Sequence, residues 1–382
     1  MRHFIFKNRY ALTCPAVCHI GLCKFWASTH PDFRPKTSLF IIGYFSVMLD
    51  WELRYLQGGI EASADINRLL NLMKETLGAT QVGIADAAPS AFTRLKHSAM
   101  PPRPAGNLVR LYMANRPSEL SAAIADPDFD KPAKYRIAWI FESFWTDDIP
   151  KLCLSAFDLI ILTQSCDVPT YRDAGARDIL VLPWGSDVLR LGAGNSHRPV
   201  DVIGLGDQPK SLLPEAEFKK EAEELGVRYA NAPSADLTVP QYFGALSGAK
   251  YVTLFSNLVS QRGGAHPTKE YFTGLWANAL ASGASVIGIA PHSDRSFSDI
   301  LWDGALIDVG STDRGKFQSE LRRAIANWSK DQPRRNYLRS LERLDWRWRI
   351  KTLCEHLATD TDALKSQLDE IQEFISGNVA IK

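Results

Sequence analysis

The side chains best placed to do chemistry lie in one stretch: Thr268-Lys269-Glu270-Tyr271-Phe272-Thr273-Gly274, running on through Asn278 to Ala279-Leu280-Ala281-Ser282-Gly283. Pro267 stands just before it, and proline is favoured at the first position of a helix. The spacing therefore predicts a helix that opens at Pro267 and carries Glu270 in its first turn. Unpaired backbone N–H groups and the helix dipole make such an end an anion site, suited to a diphosphate. A carboxylate there does not hold phosphate, but it accepts hydrogen bonds from sugar hydroxyls beside the phosphates. Thr268, Lys269, Thr273 and Asn278 are grouped with Glu270 in this set. His266, in the preceding loop, is within reach of phosphate or of a second substrate. Glu142 and Asp167 fall at or just past the ends of predicted strands, where a carboxylate can orient a hydroxyl or act as a base.

Such side chains need a scaffold that delivers them to one edge. From residue 37 on, short runs rich in Ile, Val, Leu and Phe alternate with longer helical patterns, as parallel βαβ units do. The runs cover 38–45, 81–85, 108–114, 136–141, 159–163 and 179–182, then 200–205, 228–230, 251–255, 285–290 and 305–309. Most are continuously apolar, which fits strands covered by helices on both faces. The expected architecture is α/β: two doubly wound, Rossmann-like domains over 37–190 and 200–330, with a linker at 191–199 and a ligand cleft between them. Residues 331–382 read as helices packing across both domains. There Arg335, Arg339, Arg343 and Arg347 recur every four residues beside an apolar stripe of Tyr337, Leu341, Leu344 and Trp348. Packing with a solvated arginine face is the expectation, with weak peripheral contact of 335–351 with an acidic membrane as the alternative.

Composition narrows the rest. The chain has 382 residues, 45% hydrophobic and 23% charged, which excludes a disordered, fibrous or coiled-coil protein. Its net charge of +1 supplies no general basic field for nucleic acid. Residues 1–36 hold six basic residues against Asp32 alone and lack the apolar core of a secretory signal, so they read as a poorly structured extension. The apolar stretch 38–49 is too short to span a bilayer. Cys14, Cys18 and Cys23 lie in or near that extension and Cys153, Cys166 and Cys354 are scattered, as reduced thiols of a cytoplasmic protein would be. No Asp-x-Asp stands near a strand end of the second domain, so no metal is expected.

With these residues in view, Glu270, Phe272, 279–283 and Val286 resemble the donor-site signature of GT-B glycosyltransferases of group 1, family 4-like. That signature sets two glutamates eight positions apart ahead of Ala-Met-Ala-x-Gly; here Asn278 replaces the second. Gly58-Gly59-Ile60-Glu61 resembles the family's Gly-Gly-x-Glu loop, and Pro183-Trp184-Gly185-Ser186-Asp187 its Pro-Asn-Gly-x-Asp segment, with Trp184 for Asn. Residues 142–145, 157–167 and 266–290 also resemble the spore-protein-like branch. The resemblance implies transfer of a sugar from a nucleotide-diphosphate sugar to an unknown glycan, lipid or small-molecule acceptor, retaining and without metal or other cofactor. It implies that Glu270 meets the donor sugar, position 278 the ribose, and the backbone of Gly58 and Gly59 the phosphate. Lys210 is the candidate for the family's diphosphate-binding cation, with Asp207 near where an arginine would stand. The alternatives are a non-catalytic binding or scaffold protein derived from the same fold, and a sugar-nucleotide epimerase.

Overall fold

The computed structural model describes residues 49–379, apart from 57–62, 100–103, 151–152, 210–219, 221–223, 225, 232–236 and 261–264. Among the described residues, two all-parallel sheets form. The first holds β1 (Asp50–Leu56), β2 (Thr80–Ile84), β3 (Leu108–Ala114), β4 (Tyr135–Ile140), β5 (Leu159–Leu162) and β6 (Ile179–Val181), in the spatial order β2-β1-β3-β4-β5-β6. The second holds β7 (Val200–Gly204), β8 (Tyr229–Ala230), β9 (Ala249–Phe255), β10 (Ser285–Ile289) and β11 (Leu306–Asp308), in the order β11-β10-β9-β7-β8. In each, the chain runs outward one way, returns, and continues the other way. The order thus reverses between β1 and β3 and between β7 and β9, and it is at such switch points, beyond the carboxyl ends of the strands, that doubly wound sheets leave a crevice.

Strands β2 to β11 fall within two residues of the apolar runs. The first strand does not. The run at 38–45 lies outside the described residues, and β1 is instead Asp50-Trp51-Glu52-Leu53-Arg54-Tyr55-Leu56. Trp51 and Leu53 enter the core, while Arg54, also buried, is met by Asp126 at 2.5 Å and Asp128 at 2.7 Å. Burying a cation without such partners would be prohibitive, so the strand forms because its charges are matched from the turn that follows the helix Leu120–Ala125. The helix that follows, Ala64–Leu77, buries Ile66, Leu69, Leu70, Met73 and Leu77 at three- and four-residue spacing.

One apolar core runs from Trp51 and Trp139 through Trp184 to Leu254, Trp276 and Ile350, joining the two sheets to the tail. The tail itself departs from the expected continuous arginine face. The arginine-bearing stretch is two helices, Gln332–Arg343 and Trp346–His356, broken at Leu344-Asp345 and followed by a third, Asp362–Val379. Asp345 caps the second helix by accepting the Arg347 N–H, and Arg347 is fully buried between Asp187 and Asp345, at 2.9 Å from each. Leu341 and Leu344 are buried as well, so this part of the stripe faces the protein and is not offered to a lipid surface. Gln332–Arg343 packs on Gly274–Ala281, and Asp362–Val379 packs on Ala64–Leu77. Within 191–199, Arg198 is anchored on the second sheet's side, donating to the carbonyls of Ser282 (2.8 Å) and Ala249 (3.0 Å), and burial lowers its guanidinium to about 10. Among the described residues no helix is long and apolar enough to cross a membrane.

Candidate functional site

The helix expected from Pro267 begins seven residues later, at Gly274, with Thr273 as N-cap. The reason is local. The His266 ring Nδ1 accepts the backbone N–H of Thr268 (3.2 Å) and Lys269 (3.0 Å), and Asn257 Nδ2 donates to the carbonyls of His266 (2.9 Å) and Lys269 (2.8 Å). Backbone groups that would have closed a helical turn are thus taken by side chains, and 267–273 stays a loop. Glu270 is therefore not a first-turn residue. It lies half-buried in this loop, with Oε1 accepting from Ser256 Oγ (2.6 Å), Oε2 from the His292 N–H (2.9 Å), and its carbonyl from Ser293 Oγ (2.8 Å). Those partners follow β9 and β10, which places the carboxylate at the carboxyl edge of the second sheet.

Beside it, a cleft opens at the β7/β9 switch point, lined in part by Leu205, Gly206, Asp207, Asn257, Tyr271 and Thr273. Gly206 has φ +70°, a left-handed conformation that lets the chain turn away directly after β7. Thr273, Leu275 and Trp276 also border the cleft, so the N-terminal end of Gly274–Ala281 faces it. The helix start predicted at Pro267 lies instead at Thr273-Gly274. Thr268 is exposed nearby in the loop.

Asn278, expected at the ribose, is bonded to other side chains of the protein. It is buried, with Oδ1 accepting from Ser186 Oγ (2.8 Å) and Nδ2 donating to Asp65 Oδ1 (2.9 Å). Asp65 belongs to the helix after β1, and a Cβ placed on Gly274 would lie 2.5 Å from its Oδ2. Asn278 and Gly274 therefore let the helix seat closely against elements of the first sheet.

On the first-sheet side, Glu142 is half-buried just beyond β4, its Oε2 accepting from Arg116 Nε and Trp145 Nε1, both at 3.1 Å, with the guanidinium 4.3 Å over the Trp145 ring. Asp167, beyond β5, is buried: Ser143 Oγ donates to it at 2.9 Å and Lys269 Nζ lies 3.4 Å from Oδ1. Burial pushes the Asp167 carboxyl up, with Ser143 and Lys269 drawing it back. Lys269 also donates to Thr146 Oγ1 at 2.6 Å, tying the loop 266–273 to the side of the first sheet. Burial, reinforced by Lys269, lowers the His266 imidazole. Because Nδ1 accepts two N–H groups, the neutral ring carries its proton on Nε2. His266 is thus the organiser of the loop.

Gly58, Gly59 and Lys210 lie outside the described residues. Among the described residues, no group of three or more His, Cys, Asp or Glu side chains is arranged to hold a metal ion. The structure adds residues that the sequence did not single out: Asp65, Ser256, Asn257 and Asp294. Ser256-Asn257 directly follows β9 and was open to notice as a strand-end polar pair; Asp65 and Asp294 belong to no local pattern.

No protein-family model matches this sequence, and no curated protein matches it. Solved structures are similar to it. HepE from Anabaena in complex with UDP has a TM-score of 0.50 and 12% identity, over 81% of this chain and 100% of that one. HepE with UDP and glucose gives 0.50 and 12%, over 80% and 99%. Sucrose-phosphate synthase from Thermosynechococcus elongatus gives 0.52 and 10%, over 80% and 99%. These neighbours are GT-B glycosyltransferases, and they are matched over nearly their whole length. With its two doubly wound parallel sheets and C-terminal helices, this chain has the GT-B fold.

Proposed function

We propose that this protein transfers a sugar from a nucleotide-diphosphate sugar to a hydroxyl-bearing acceptor. The observation that carries the reading is Glu270, held by Ser256 and the His292 amide at the edge of the β7/β9 cleft, next to the N-terminal end of Gly274–Ala281. Nucleotide and diphosphate would occupy that cleft, the phosphates drawn to the helix end, with Glu270 accepting hydrogen bonds from the sugar hydroxyls. The solved neighbours with UDP make a uridine diphosphate sugar the first donor to try. Departure of the diphosphate is then eased by backbone amides and a cation, Lys269 or Lys210, with no metal required. Thr268 and Thr273 border the same loop. On the acceptor side, half-exposed Glu142 is favoured over Asp167, whose carboxylate is buried under Ser143 and Lys269. A retaining outcome rests on the resemblance at Glu270.

One observation favours a second reading. Asn278 stands where the signature has glutamate and spends both ends of its amide on Ser186 and Asp65, which fits a binding protein without turnover. Thermal shifts with UDP, GDP and their sugars, followed by assay of donor cleavage, separate the readings. Binding with sugar release supports transfer. Binding without release supports the non-catalytic protein, conversion of the donor into an isomeric sugar nucleotide supports an epimerase, and no binding overturns the proposal.

A further inference from the structure

Two loops of the second sheet and one turn of the first close into a ring of contacts. Glu270 receives the His292 N–H and the Ser293 hydroxyl. The next residue, Asp294, is buried and turns to the first sheet, where Oδ1 accepts from the Ser165 N–H (2.9 Å), Ser165 Oγ (2.7 Å) and the Cys166 N–H (3.2 Å). Its Oδ2 accepts from the N–H and hydroxyl of Ser296, whose Oγ also reaches the Thr163 carbonyl at 3.4 Å. Asp167, one residue past Cys166, returns the connection to Lys269, the neighbour of Glu270.

We propose that Asp294 is a positioning residue: by gripping the Ser165–Asp167 turn it locks loop 292–296, and so fixes the Glu270 carboxylate only while the two sheets are engaged. A buried carboxylate must keep its donors, because nothing else can solvate it there. Charge-assisted hydrogen bonds of this kind are about twice as strong as neutral ones. Only Ser293 separates Asp294 from His292, too short a span to absorb movement of one end without the other. The coupling is independent of the glycosyl-transfer reading, since it concerns only how the loops are held.

Amide hydrogen exchange on the full chain tests it. In Asp294→Ala, the amides of Ser165 and Cys166 and also that of His292 should exchange at least about tenfold faster, the change expected from losing one charge-assisted bond. The amides of β9 should keep their rates. Asp294→Asn, which retains an acceptor oxygen, should fall between. If Asp294→Ala does not fold, Ser165→Ala, which removes only one hydroxyl donor, should still speed exchange at both Cys166 and His292. Faster exchange at 165–166 with an unchanged His292 would show that Asp294 merely caps the turn, and the coupling would be refuted; unchanged exchange at all three would refute it equally.

Discussion

Glu270 makes its contacts through both carboxylate oxygens, and that geometry sets what its substitution should do. Glu270→Gln keeps the shape but puts an NH2 where one of two donors, Ser256 Oγ or the His292 N–H, now points. Losing a hydrogen bond to a charged group costs about 1.5–3 kcal/mol, so sugar release from the donor should slow by roughly one to two orders of magnitude. UDP, which lacks the sugar, should bind almost unchanged in a calorimetric titration. Loss of UDP affinity together with the melting temperature would make Glu270 a purely structural acid. His266 offers a pH test. Its imidazole is lowered by burial from an ordinary value of 6.5. Below that value the unfolded chain takes up a proton that the folded one resists, so the stabilisation is complete above it and declines as the solution is acidified. The melting temperature should drop between about pH 7 and pH 5.5. His266→Asn, whose Oδ1 can replace Nδ1 as acceptor for the Thr268 and Lys269 amides, should show a shallower drop.

At the scale of elements, the buried Arg347 between Asp187 and Asp345 is the joint that fixes the tail against 183–189. Arg347→Ala strands two carboxylates without their cation, and removal of one partner from a buried pair typically costs about 3–5 kcal/mol; the urea midpoint should fall accordingly. A midpoint near that of the wild type would mean that water reaches the site. Elements with continuous apolar runs were legible in the sequence, because burial on both faces leaves a local imprint. β1 was not, since Arg54 is neutralised by Asp126 and Asp128, more than seventy positions away, and Glu52 by Arg54 and by Arg110 on the neighbouring strand. The helix start was misplaced for a similar reason: Pro267 favours a helix locally, but Asn257 and His266 claim the backbone of 266–269 first. The tail break at Asp345 did carry a signal, an N-cap aspartate, which the four-residue arginine spacing overrode.

At the scale of the whole molecule, candidate residues were legible where they are concentrated in one segment, and their partners were illegible where these depend on two sheets meeting. Glu270 could be singled out; its hold by Ser256 and His292, and the link from Asp294 to Ser165, could not, because they join residues brought together only by the fold. Asn278 shows the same limit: its bonds to Ser186 and Asp65 join residues far apart in sequence and carry no local signal. The central claim is that a nucleotide diphosphate occupies the β7/β9 switch point. It is tested most directly by the hydrogen-exchange footprint of UDP on the full chain. Protection should concentrate at 205–207 and 273–276, where Gly206 and the N-terminal end of Gly274–Ala281 border the cleft. Protection confined to the first sheet, or none at saturating UDP, would contradict the account.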